Sequence, residues 1–134
     1  MALAWQFPRV DPAEAQLANQ ALLELATGQA VVPALWYAEV GNGVLRGERQ
    51  GAIQPAQAAF FLNELFLADI VSDEAPPRTR QASVVALARS YGLTVYDATY
   101  LELAMRLAGT LATFDRKLAG AARAAGVRVF GDAA

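Results

Sequence analysis

The sequence predicts an α/β fold in which a short parallel sheet is flanked by helices, giving three layers. Three observations predict it. Apolar runs of three or four residues alternate along the chain with segments of helical character. Those runs lack the apolar–polar alternation of strands with one wet face, so they read as strands buried on both sides. The chain has 134 residues, is 55% hydrophobic and carries 18% charged residues against roughly 25% in average proteins, which suits one compact core across residues 1–134.

Each element follows from local chemistry. Asp11 is placed to cap a helix that begins at Pro12, carries Glu14 in its first turn and runs through Leu17, Leu22, Leu23 and Leu25 to Gly28. Ala30-Val31-Val32 is a short strand. Pro33 then opens a second helix through Trp36, Val40, Val44 and Leu45. Gly41 and Gly43 weaken that helix by about 1 kcal/mol each relative to alanine, which implies close packing there. Pro55 starts a third helix bearing Phe60, Phe61, Leu62, Leu65, Phe66 and Leu67. That helix is too apolar for one amphipathic stripe and is expected to be covered on two sides, with its excess apolar surface serving a homodimer. Ile70-Val71-Ser72 is a brief strand, and a helix from Arg78 to Ser90 is closed by Gly92. Leu93 to Tyr96 reads as a strand, Ala98 to Ala108 as a helix, Thr110 to Thr113 as a strand, Arg116 to Ala125 as a helix ended by Gly126, and Val127 to Phe130 as a last strand. There is no internal repeat, low-complexity segment or linker.

Composition narrows the chemistry. The chain has no cysteine and no histidine, which excludes disulfides, zinc–thiolate sites, thiol nucleophiles, serine–histidine catalysis and imidazole-ligated metals. Carboxylates, hydroxyls and amines remain. With 11 basic and 13 acidic residues the net charge is −2, so no broad basic footprint for nucleic acid exists, although a local patch suffices to bind phosphate. No apolar run reaches the ~18 residues of a membrane span, and MALAWQFPRV lacks the basic and long apolar regions of a secretory signal. A cytoplasmic location is the expectation.

Three acids fall where an α/β fold places its ligands. Asp97 follows one expected strand and Asp115 another, at the carboxyl ends that line the crevice of an open parallel sheet. Glu39 lies about two turns into the helix after Ala30–Val32, within reach of the same rim. Carboxylates gathered there raise one another's pKa unless a cation lies between them. With no nitrogen or sulfur ligands to offer, the cluster suits a hard ion, Mg²⁺ or Mn²⁺, which polarises a phosphoryl oxygen and acidifies a water for phosphodiester hydrolysis. Asp97 and Asp115 equally sit where helix caps belong. Asn42 and Thr113 either orient the carboxylates or make ordinary helix and turn hydrogen bonds. Arg116 and Lys117 either meet phosphate or lie on a solvated helix face, as do Arg46 and Arg49. No Walker or dinucleotide fingerprint is present.

Taken together, VVPALWYAEVGNGVLR (31–46), LTVYDATYLELAMRLAGTLATFDRKL (93–118) and the closing AAGVRVF resemble a PIN domain, particularly the VapC toxins of bacterial toxin–antitoxin pairs. The resemblance covers nearly the whole chain. It rests on a combination: strand–Pro–helix with Glu and Asn three apart, a Tyr-Asp-Ala-x-Tyr-Leu segment, and Thr-x-Asp after a short strand. It implies a small metal-dependent ribonuclease acting on RNA, inhibited by a cognate antitoxin and commonly homodimeric. On that resemblance Glu39, Asp97 and Asp115 match acidic metal ligands, Thr113 a supporting hydroxyl, and Asn42 a polar neighbour of the glutamate.

One departure stands beside the match. Family members open with a strand ending in an aspartate, typically Asp-x-Ser, just before the segment that Ala2-Leu3-Ala4-Trp5 resembles. That acid and its central strand are missing here, and Asp11 does not replace the acid because it lies past Trp5–Phe7 and caps the next helix. The expectation is that the natural start lies upstream or that the product is shortened and poorly stable. The alternative reading is therefore a PIN-like module that engages an antitoxin or RNA without turnover. A small-molecule-binding α/β domain is a third reading, supported by little beyond strand–helix alternation.

Overall fold

A computed structural model of the chain describes residues 11–133. The expectations that concern Ala2–Phe7 lie outside those residues. The described part is mixed α/β, with six helices and a short two-stranded parallel sheet. It divides into two compact units, one ending at Ser72 and one starting at Asp73.

In the first unit, α1 (Pro12–Leu25) starts as its sequence dictates: the Asp11 carboxylate accepts the Ala13 N–H at 2.9 Å and Pro12 occupies the first turn. β1 (Ala30–Val32) pairs in parallel with β2 (Ile70–Ser72), with Ala30 opposite Ile70 and Val32 opposite Ser72. Gln29 donates to Asp69 Oδ1 at 3.0 Å, tying the entries of the two strands. Between them run α2 (Leu35–Arg49) and α3 (Pro55–Leu67). Val40 and Val44 of α2 meet Ile53 and Ala58 and Phe61 of α3 in a small core, with Trp36 and Leu65 packed against it.

Two expectations for this unit need correction. Among the described residues α3 is covered on one side only: Phe61 is buried, whereas Phe60, Phe66 and Leu67 are 67%, 84% and 71% exposed. A three-residue sheet and one neighbouring helix offer too little surface to cover its whole circumference. At Gly41 an added Cβ would meet nothing within 4 Å, so that glycine does not mark a close approach.

The second unit is helical around one core. α4 (Pro77–Tyr91) ends at Gly92, whose φ of 64° is the left-handed conformation that glycine adopts without a Cβ penalty. The chain then turns through buried Leu93 straight into α5 (Val95–Arg106). The strand expected at Leu93–Tyr96 is absent. Thr94 is extended, but its hydroxyl accepts the Asp97 N–H at 3.1 Å, making it the cap of α5 and drawing Val95 and Tyr96 into the first turn. A β-branched residue costs little there, because no preceding turn crowds its side chain. Ala98, Leu101, Leu103 and Ala104 bury the inner face of α5. α6 (Arg116–Ala124) follows, ending before Gly126 at φ 82°. The strands expected at Thr110–Thr113 and Val127–Phe130 shrink to a single parallel bridge, Leu111 with Val129, closed by Leu111 N–H to Arg128 O at 2.9 Å and Phe130 N–H to Leu111 O at 2.8 Å.

One polar network runs through this unit. Glu102 is buried on α5 between Leu101 and Leu103, and Arg106 one turn later donates to it from Nε at 2.9 Å. The same guanidinium forks onto Asp73, with Nη1 to Oδ1 at 3.1 Å and Nη2 to Oδ2 at 2.6 Å. Arg80 of α4 adds an ion pair, Nε to Glu102 Oε1 at 3.5 Å, without a hydrogen bond. Two cations thus neutralise two carboxylates and tie the start of the unit to α5. The Arg106 guanidinium holds Asp73 below its usual pKa range, and the two carboxylates in turn raise that of Arg106.

Candidate metal centre

The tight α4–α5 corner and the Leu111–Val129 bridge start two successive helices, α5 and α6, and both carry a carboxylate in or at the first turn. Asp97 is the third residue of α5, and Asp115 is the cap of α6. The expectation that both are caps therefore holds only for Asp115, whose Oδ1 accepts the Leu118 N–H at 2.8 Å. Thr94 does the capping at α5, so the Asp97 carboxylate is not spent on closing its own helix. A threonine three residues before an aspartate is the sequence signature of such a start, and it outweighs the β-branched run beside it.

Asp97 is half-buried and Asp115 exposed. Burial pushes the Asp97 carboxyl above its ordinary value, and the Asp115 carboxylate pushes it further; the Thr94 hydroxyl and the Lys117 ammonium pull it down. These opposing influences place Asp115 and Lys117 within electrostatic range of Asp97. Both helix starts favour negative charge through the backbone dipole, which helps to hold two like charges there. Thr113 orients the second acid: its hydroxyl accepts the Asp115 N–H at 3.1 Å. Arg116 and Lys117 are exposed in the first turn of α6.

Glu39 and Asn42 lie on exposed positions of α2 in the first unit. Among the described residues no group of three or more histidine, cysteine, aspartate or glutamate side chains gathers to hold a metal. What the second unit brings together is a pair, Asp97 and Asp115, with Lys117 beside it. The pair fits Mg²⁺ or Mn²⁺, since such ions bind through one or two carboxylates, retain several waters and accept substrate phosphate rather than requiring a closed protein cage. The pair lacks the nitrogen and sulfur donors of a zinc or iron site. Three features of this unit go beyond the sequence expectations: Thr94 as a cap, the Arg106 network, and the exposure of Tyr96, which precedes Asp97 in sequence. The spacing of Thr94 to Asp97 and the four-residue spacing of Glu102 to Arg106 were the signals available.

Comparison with known proteins agrees with this architecture. The PIN domain family profile matches residues 3–124. "Ribonuclease VapC3" from Pyrobaculum aerophilum is 33% identical over 91 residues, covering 60% of this chain and 62% of that protein. The chain thus spans less than two thirds of the length of that relative. Among the described residues no helix is long and apolar enough to cross a membrane.

Proposed function

The chain belongs to the PIN domain family, and from that premise we propose that it is a metal-dependent endoribonuclease hydrolysing RNA phosphodiester bonds, the toxin of a type II toxin–antitoxin pair acting in the cytoplasm. The similarity to a protein named as a VapC ribonuclease supports the activity. The observation that carries the reading is the Asp97–Asp115 pair, two carboxylates within electrostatic range at the starts of α5 and α6.

Asp97 and Asp115 are the residues that hold Mg²⁺ or Mn²⁺. When bound, the ion supplies positive charge to a phosphoryl oxygen and lowers the pKa of a water. The protein's own part is preorganisation. Thr94 fixes the start of α5 so that Asp97 sits in its first turn. Thr113 and the Leu118 N–H fix Asp115, whose Oδ1 serves the helix, so that its carboxylate would hold a metal ion from an already fixed position. Lys117, with Arg116 beside it, offers positive charge to the phosphate backbone of RNA, a contact that positions the strand without reading its sequence. The roles of Glu39 as an acidic ligand and of Asn42 as its polar neighbour rest on the family resemblance alone. The exposed apolar side of α3 serves a homodimer, and a cognate antitoxin inhibits the enzyme.

The test is Mn²⁺-dependent cleavage of a structured RNA by the purified chain, with Asp97→Asn as control and circular dichroism to verify folding. Cleavage is expected to fall by about a hundredfold or more in the variant while the helical spectrum stays. Equal cleavage by both proteins would remove Asp97 from the chemistry. A folded chain that binds Mn²⁺ and leaves RNA intact would replace the enzyme by a binding module.

A further inference from the structure

α6 is sharply two-sided. Leu118, Ala119, Ala121 and Ala122 are buried, whereas Arg116, Lys117, Gly120, Arg123 and Ala124 are exposed. The outward side thus carries three cations and no acid. Arg116, Gly120 and Arg123 fall at the four- and three-residue spacing that puts side chains in one row along a helix, a row about 10 Å long. An added Cβ at Gly120 would meet nothing within 4 Å, so the surface between the two arginines is open. The row starts directly after the Asp115 cap, where Lys117 is within electrostatic range of Asp97.

The far end of the row is occupied. Arg123 donates twice to Asp132, from Nε to Oδ2 and from Nη2 to Oδ1, both at 2.8 Å. The acid comes from outside the helix: past the Leu111–Val129 bridge the chain turns at Gly131, φ 96°, and the Asp132 N–H donates to Val129 O at 3.0 Å. The side chains of Arg123 and Asp132 remain 53% and 38% exposed. An ion pair so open to water and salt contributes little to stability and is readily exchanged. The same in-plane fork is how a guanidinium holds a phosphate. We propose that Asp132 is an internal stand-in for an RNA phosphate at Arg123, a latch over the outer end of a basic track on α6 that the RNA backbone displaces as it runs along the helix from the Asp97–Asp115 pair. The inference rests on the ribonuclease reading for its choice of RNA. Phosphate contacts position a strand without reading its bases, so the latch tunes how tightly RNA is held and not which sequence is taken.

The latch is tested by the salt dependence of binding. A short fluorescent RNA is titrated with the full chain in EDTA at several salt concentrations, and cleavage of the same RNA is followed separately in Mn²⁺. Asp132→Asn frees Arg123 and should bind about threefold or more tightly at low salt, with the slope of log affinity against log salt steeper by about 0.7 for the one phosphate gained. Combining it with Arg123→Gln should abolish both gains. Glu74→Gln, which removes an exposed acid elsewhere in the unit, controls for net charge and should leave affinity within about twofold of the wild type. Circular dichroism confirms that the variants fold, as exposed positions allow. An Asp132→Asn protein that binds no more tightly than Glu74→Gln, or whose gain survives Arg123→Gln, overturns the inference. So does a set of proteins none of which binds RNA, or an Asp132→Asn protein that gains affinity for an acidic peptide and not for RNA. Failure of the ribonuclease reading shows differently, as wild-type and Asp97→Asn proteins that behave alike in Mn²⁺.

Discussion

The carboxyl of Asp97, in the first turn of α5, is held above the ordinary aspartate range by its own burial and by the carboxylate of Asp115, the cap of α6. Two successive helices therefore present like charges to one another, an arrangement that costs stability in the free protein and is relieved by a cation. Functional sites commonly carry such a cost.

The cost has a sign and a pH window. Because the folded-state pKa of Asp97 is raised, ionisation of this group destabilises the fold above that pKa, and the penalty disappears as pH falls through it. Asp97→Asn should therefore melt at the same or a higher temperature than the wild type at pH 7, with the difference closing in acid. Carboxyl-carbon NMR should show Asp97 titrating above an ordinary aspartate and moving down in Asp115→Asn. An Asp97 titration that ignores the Asp115 substitution would show that the pair is not coupled.

Asp115 combines two tasks that different substitutions separate. Asparagine caps a helix nearly as well as aspartate, whereas alanine forfeits about 1 kcal/mol. Asp115→Asn should keep the melting temperature and lose Mn²⁺ affinity by calorimetry. Asp115→Ala should lose both, with a drop of about 3–6 °C for a chain of this size. A stability loss in Asp115→Asn equal to that in Asp115→Ala would contradict the capping role of Oδ1.

Arg106 should be among the most sensitive positions of the second unit. Its removal strands buried Glu102 with only the imperfect Arg80 contact and leaves Asp73 without its fork. Arg106→Met is expected to cost about 2 kcal/mol or more by urea denaturation, and Arg106→Lys to recover only part of this because an ammonium cannot bridge both carboxylates in plane. Asp73 has a lowered pKa, so its contribution is present above its unfolded value and lost as pH falls through the folded one. The wild type should consequently lose more stability in acid than the Arg106→Met protein. Parallel acid profiles would rule the network out as a source of pH dependence.

The bare side of α3 makes a prediction about assembly. Phe66, 84% exposed, contributes nothing to the core of its own unit, so Phe66→Glu should leave the melting temperature within about 2 °C while light scattering reports loss of any dimer formed by the wild type. A dimer that survives the substitution would place its interface elsewhere.

Much of the local structure was legible because single residues dictate it. Asp11 with Pro12 set the start of α1, Pro55 that of α3, Gly92 the end of α4 and Gly126 the end of α6, and Ala30–Val32 and Ile70–Ser72 pair as strands over the residues expected. These are short-range steric and hydrogen-bonding effects that act within one turn. At Leu93–Tyr96 the β-branched composition favours a strand, and the Thr94-to-Asp97 cap overrides it. The segments at 110–113 and 127–130 pair through one bridge only, because an apolar run shows that a segment is buried and not how many ladder bonds it makes.

The sequence by itself determined the class of fold, the helix boundaries set by proline, glycine and capping residues, and a chemistry confined to oxygen donors by the absence of histidine and cysteine. Only the tertiary structure decided that Asp115 lies near enough to Asp97 to raise its pKa, that Arg106 reaches Asp73 across 33 residues, and that Tyr96 is left bare while its helix is buried. The physical reason is range. Capping and backbone conformation are settled by neighbours in sequence, whereas charge coupling and exposure depend on which surfaces the packed helices bring together.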